Sequence, residues 1–191
     1  MKKPAILAIL CVACLVLIAG WSFGKKKAEK PVQERFEATI SPAISSNNRL
    51  SVAIQEFSAD QEVQELARTF AAGGEGALGK TLGKIKKGHF RIGNEQTTPL
   101  VMVTSSSDGS RRRVSLIGKA PTVYGEGFGG SVSTGNRGFP YTYIQLEVDE
   151  QGNGEGMIIL YVNLSFDPQG RISLKPMDRQ TFRLVNVHKQ Q

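Results

Sequence analysis

Cysteine is missing from residue 31 onward; the only two, Cys11 and Cys14, fall inside an apolar run near the start. The body of the chain therefore has no disulfide, no thiolate zinc site and no cysteine nucleophile. Histidine is almost as scarce. With His89 and His188 alone, a three-histidine metal site is excluded, and a histidine-based triad would have to use one of these two. There is no G-x-S-x-G and no internal repeat. A basic excess is also lacking where a nucleic-acid binder would carry it. The net charge is +7, but residues 1–30 hold six lysines and one glutamate, leaving 18 basic and 16 acidic residues beyond them. Arg111, Arg112 and Arg113 form the one basic triplet, and on a strand its members alternate between faces. We expect no nucleic-acid partner.

What is there begins with the leader. Lys2 and Lys3 precede "AILAILCVACLVLIAGWSFG" (5–24), a run without charge, and "KKKAEK" follows. A basic start, an apolar stretch and then polar sequence is the layout of an export signal. At about 1.5 Å per residue the same run is long enough to cross a bilayer as a helix. Ser22 and Gly24 place small residues at the third and first positions before a cleavage point, whereas the three lysines after the run suit a retained anchor. Both readings stay open. We divide the chain into a signal peptide or membrane anchor (1–24), a basic linker (25–35) and one β-rich domain (36–189). The expected location is exported, periplasmic or extracellular, with the membrane met through the N-terminal segment.

Period two dominates the domain. Phe36, Ala38 and Ile40 alternate, as do Leu50, Val52 and Ile54. "SADQEVQELARTFAA" then changes to helical period through Val63, Leu66, Ala67 and Phe70, with Ser58 and Gln61 as a capping box and Asp60 as a rival cap. Gly73, Gly74 and Gly76 interrupt this helix; Leu78, Leu82 and Ile85 resume it until Gly88. "PLVMVTS" and "RRRVSLIG" flank the turn "SSDGS". Thr142, Ile144, Leu146 and Val148 share one strand face, and Ile158, Leu160, Val162, Leu164 and Phe166 alternate without a break. "DPQG" (167–170) is a turn, and "RISLK" and "TFRLVNVHK" are the last strands. The expected fold is α+β: an antiparallel meander of eight or nine strands, able to curve into a partial barrel, with one interrupted helical segment.

Three motif matches fail on context. "GEGALGKT" (74–81) fits G-x-x-x-x-G-K-[ST], but a phosphate loop follows a buried strand, and here the preceding residues have helical period. Lys80, Lys84 and Lys87 then lie on one solvated helix face, so no nucleotide is expected. "GEGFGG" (125–130) fits G-x-G-x-x-G without the helix that must follow. "DEQGNGEG" (149–156) has Asp149, Asn153 and Gly154 where a calcium loop has ligands and glycine, but Leu160 stands where the bidentate glutamate is needed. No cofactor, metal or catalytic residue is assigned. Glu147 and Asp149 share a strand face and could in principle serve glycoside hydrolysis, although surface solvation explains them more simply. "NLS" (163–165) sits mid-strand and is a poor glycosylation site.

The longest irregular stretch, 118–140, is glycine-rich and carries Tyr124, Phe128 and Phe139. Long loops in compact domains are frequently functional, and these three aromatics are the candidate ligand-contacting residues. The leading expectation is a non-catalytic ligand-binding domain of the cell envelope that takes a small apolar ligand beside this loop. The alternative is a module that holds another envelope protein, and the third reading is the acidic hydrolase.

"FPYTYIQLEVDEQGNGEG", "FEATIS", "LSVAIQEFS" with its helix, and "RISLKPMDRQTFRLVNV" together resemble an uncharacterised family of exported bacterial proteins, over about Phe36 to Lys189. The resemblance implies export and a single small domain with a "D..G.GEG" hairpin. It implies no activity, ligand or site residue. The lysine-rich junction after the apolar run departs from an ordinary cleavable signal.

Overall fold

Among the described residues, alternation of apolar and polar residues builds nine strands, and the stretch of helical period builds one long helix. The elements are β1 (Glu34–Ser41), β2 (Arg49–Ile54), α1 (Asp60–Leu82), β3 (Gly88–Ile92), β4 (Thr98–Asp108), β5 (Arg111–Lys119), β6 (Tyr141–Val148), β7 (Asn153–Phe166), β8 (Ile172–Pro176) and β9 (Thr181–Gln190). The structure is a computed structural model that describes residues 30–44, 47–121, 140–167, 169–176 and 181–190. The leader at 5–24 lies outside the described residues, as do Tyr124, Phe128 and Phe139. Pro31–Gln191 forms one compact unit, which holds every described strand and α1. Among the described residues no helix is long and apolar enough to cross a membrane.

All pairings are antiparallel, and the sheet closes. The order β6-β5-β4-β3-β2-β1-β9-β7 returns to β6 through a β6–β7 pairing, giving an eight-stranded barrel rather than a partial one. The late strands do not form a simple meander. β9 turns back to fill the gap between β1 and the first half of β7, and β8 extends the sheet along the second half of β7. Closure of so small a barrel requires local kinks, and bulges supply them. β4 has an extra residue between Leu100 and Met102 opposite β5, β7 has one between Ile159 and Val162 opposite β6, and β9 has one near Asn186. Among the described residues, Tyr161 and Asn186 are the non-glycine residues with left-handed backbone, at φ 57° and 53°.

These bulges correct one reading of the sequence. Ile158 and Leu160 point into the barrel, but Val162, Leu164 and Phe166 point outward, because the extra residue at Tyr161 swaps the faces of β7. Two apolar layers result. One fills the barrel with residues from all eight strands, Phe36, Phe90, Leu116, Ile144 and Leu160 among them. The other lies between the outer wall and α1, where Leu66, Leu78 and Leu82 cover Val101, Met102, Ile117, Val162, Leu164 and Phe166.

α1 runs through the glycines with a kink at Gly74 (φ 62°) and ends at a Gly83 cap, well before Gly88. Its N-terminus differs from the expected capping box. The Glu62 carboxylate accepts from the Ala59 N–H at 2.9 Å, while Ser58 Oγ accepts from the Val103 N–H at 3.2 Å and ties the helix entry to β4. Because the helix stops at Leu82, Lys87 is not on a solvated helical face. It is 3 % exposed, and its Nζ donates to Glu56 at 2.7 Å and to both oxygens of Glu62 at 2.7 and 2.8 Å. An ammonium so buried is tolerated only with partners of opposite charge.

The glycines of "GNGEG" have a plain structural explanation. Gly152 takes φ 82° in the turn between β6 and β7. A Cβ at Gly154 or Gly156 would strike the β6 main chain, at the carbonyls of Glu147 and Gln145 respectively. The motif that resembles a calcium loop is thus a close strand pairing. Asp149 accepts from the Asn153 N–H at 2.9 Å within the turn, and no group of three or more metal-ligating side chains occurs among the described residues.

Candidate functional site

The two ends of the barrel are built from different chemistry. At the end where β1 starts and β9 finishes, the inward positions of three strands carry Glu34, Arg112 and Lys189. Arg112 Nη1 donates to both Glu34 oxygens at 2.9 and 3.0 Å, and Lys189 Nζ donates to Oε1 at 3.1 Å. Arg112 Nε also donates to Ser105 Oγ at 2.7 Å, and its guanidinium lies 5.2 Å above the centroid of Phe57. Phe57 itself packs against the interior. Burial pushes the Glu34 carboxyl up, but the hydrogen bonds and positive charges of Arg112 and Lys189 outweigh it and hold the group below its ordinary value. Paired charge thus caps this end, with Glu34 the most buried of the three and Arg112 and Lys189 still partly exposed. Glu34 falls inside 25–35, where the sequence shows only charge and proline. Of the basic triplet, Arg112 faces in and Arg113 faces out to Glu147, as alternation requires.

The opposite end carries the long loop. Its described flanks meet there: the Ala120 N–H donates to the Pro140 carbonyl at 2.8 Å, and Tyr161 OH donates to the Pro121 carbonyl at 3.4 Å. Ile40, Leu50, Ile92 and Leu184 face inward with Thr98, Gly118, Thr142 and Tyr161, and none of these is charged. Thr142 is fully buried, and its Oγ1 has no hydrogen-bond partner. Gly118 stands opposite it on β5, and a Cβ there would lie 2.5 Å from the Phe90 ring. On the β7 side, Thr142 faces the bulge formed by Leu160 and Tyr161.

Outside this end, a groove of about 480 Å³ runs between α1 and β7. Leu78, Leu82, Tyr141 and Leu164 form its floor, and Lys119 and Pro140 lie at the foot of the loop. The glycines of "GEGALGKT" edge it rather than follow a strand: Gly76 has no atom within 4 Å of an added Cβ, and Gly79 only Tyr141 OH at 3.7 Å. Asn163 of "NLS" donates to Glu75 at 2.8 Å across it. Burial raises the pKa of Tyr141, and the nearby Glu75 charge adds to this.

The remaining candidates are not brought together. Glu147 pairs with Arg113 and Gln145 on the outer wall, whereas Asp149 belongs to the β6–β7 turn. His188 lies 3.6 Å from Glu37 on the outside, and His89 sits on β3. No protein-family model, curated protein or solved structure matches the chain. The site's physical features are therefore the basis for any functional reading.

Proposed function

We propose that this chain is a non-catalytic binding domain, exported to the cell envelope, that receives an apolar ligand at the loop-bearing end of its barrel. One observation carries the reading. The inward-facing side chains change from an ion-paired plug at one end to an uncharged, apolar surface at the end where the long loop leaves and returns. Eight-stranded barrels are wide enough either to be filled by side chains or to hold one small ligand, and ligand sites favour barrel mouths. The leader at 5–24 supports export. Native mass spectrometry of residues 31–191 purified from their own host tests the proposal: a co-purifying mass of a few hundred daltons is the expected result, and a consistently bare protein would count against it. The mature N-terminus in fractionated cells decides between cleaved signal and anchor.

A second reading, a module that holds another envelope protein, is favoured by the outer groove. Gly76 and Gly79 weaken a helix by roughly 1 kcal/mol each relative to alanine, although the space around them would admit a methyl group. Cross-linking in cells from a residue beside the groove, such as Lys80, should recover a discrete partner under this reading. Recovery of none would remove it.

A further inference from the structure

Thr142 is the one residue among those described whose buried side-chain polar atom lacks a partner. A hydroxyl taken out of water without a hydrogen bond is destabilising, and such groups are rare in folded proteins. Its position is as unusual as its state. Phe90 lies against Gly118 on one side of it, and the β7 bulge, with Tyr161, faces it on the other. Tyr161 is itself held in a backbone region that aromatic residues seldom occupy, φ 57°, while only 4 % exposed. Its reach to the Pro121 carbonyl, 3.4 Å, is long for an O–H···O bond.

We infer that Thr142 Oγ1 is the polar contact of an internal site for a narrow, single-chain apolar molecule bearing one neutral hydroxyl or carbonyl group, admitted when Tyr161 moves aside. The inference rests on the proposed binding function and names its ligand class. A threonine hydroxyl both donates and accepts, so either group satisfies it. The molecule is uncharged because, among the described residues, the inward positions beside Thr142 carry no charge with which an ion could pair. It is narrow because side chains already fill the barrel and must shift to admit even one chain. Tyr161 is the wall that moves, since its left-handed backbone is strained and it stands at the bulge facing Thr142. The Leu160–Tyr161 bulge supplies the slack, as bulges commonly do beside functional sites.

The experiment uses residues 31–191 with three probes of equal length: 1-octanol, octane and octanoate. Affinity is read by titration of amide chemical shifts, and stability by thermal melting. Octanol should bind on the order of tenfold tighter than octane, the contribution of one net hydrogen bond, with octanoate weakest, and shifts should centre on Thr142, Gly118 and Tyr161. Thr142→Val should melt higher than the wild type without ligand and bring the octanol-to-octane ratio to about one; Thr142→Ser should keep the preference. Equal binding of octanol and octane by the wild type overturns this inference but leaves the binding function standing. A lower melting temperature for Thr142→Val, with Thr142→Ser unaffected, also overturns it, since the hydroxyl would then have a partner such as an ordered water. Binding of none of the three overturns it too, while the mass of the protein purified from its host decides the broader function separately.

Discussion

The two ends of one barrel show opposite ways of finishing a hydrophobic interior. At one, Glu34, Arg112 and Lys189 are drawn inward from three strands and neutralise one another over Phe57. At the other, the described inward positions are uncharged, and the sheet ends in a bulge, an unpaired hydroxyl and the two feet of a long loop. The contrast separates stability from receptivity. Closing an end with paired charge fixes it, because opening it would part Glu34 from Arg112 and Lys189 and give up their charge-assisted hydrogen bonds. Leaving an end apolar and strained keeps it able to change.

If that contrast is right, substitutions at the two ends should differ in kind. The largest effect is expected for Glu34→Ala, which leaves two inward cations without their shared carboxylate. A loss of about 2 to 3 kcal/mol in urea unfolding is expected, at or below the lower bound for a buried pair because Arg112 and Lys189 retain 30 % and 42 % side-chain exposure. Gly118→Ala, at the loop end, should cost about 2 kcal/mol by pressing a methyl group into the Phe90 ring. A loss well below 1 kcal/mol would mean that this end is more yielding than its packing suggests.

Acid should distinguish the ends without mutation. Glu34 has a folded-state pKa below its ordinary 4.5, so its contribution is complete above the unfolded value and disappears as pH falls through the folded one. Stability should thus decline from about pH 4.5 downward, and Glu34→Gln should flatten that part of the profile; a profile unchanged by the substitution would remove the plug from the comparison. The smallest effect belongs to Tyr161→Phe, about 0.5 kcal/mol for a long hydrogen bond. Together with the Glu34 result it would give a severalfold difference between the ends, and equal losses would erase it.

The strands were legible because each buries one face: Phe36, Ala38 and Ile40, or Thr142, Ile144, Leu146 and Val148, point inward as their spacing predicts. The face switch in β7 was not. Ile158 through Phe166 alternate regularly, yet the bulge turns the later residues onto the helix-covered outer wall, which also demands apolar side chains. The clue was the unbroken run of bulky residues from Met157 to Val162. Closure was hidden for a different reason, since local pattern cannot report that β1 pairs with β9. Lys87 misled because helical spacing was extended past Gly83, where the helix ends. Of the site, Thr142 was placed on the correct face, but its missing partner depends on what three other strands bring near it. The aromatic candidates Tyr124, Phe128 and Phe139 lie outside the described residues; only the loop's anchoring at one barrel end is established.

The seam between β1 and β9 also sets when folding can finish. Glu34 and Lys189 meet across 155 positions of sequence, and residues 181–190 must zip against two neighbours at once before the hoop exists. Pairings of such long range make for slow folding. A polypeptide emerging N-terminus first would therefore stay open until that last strand arrived, an interval that the proposed export would need.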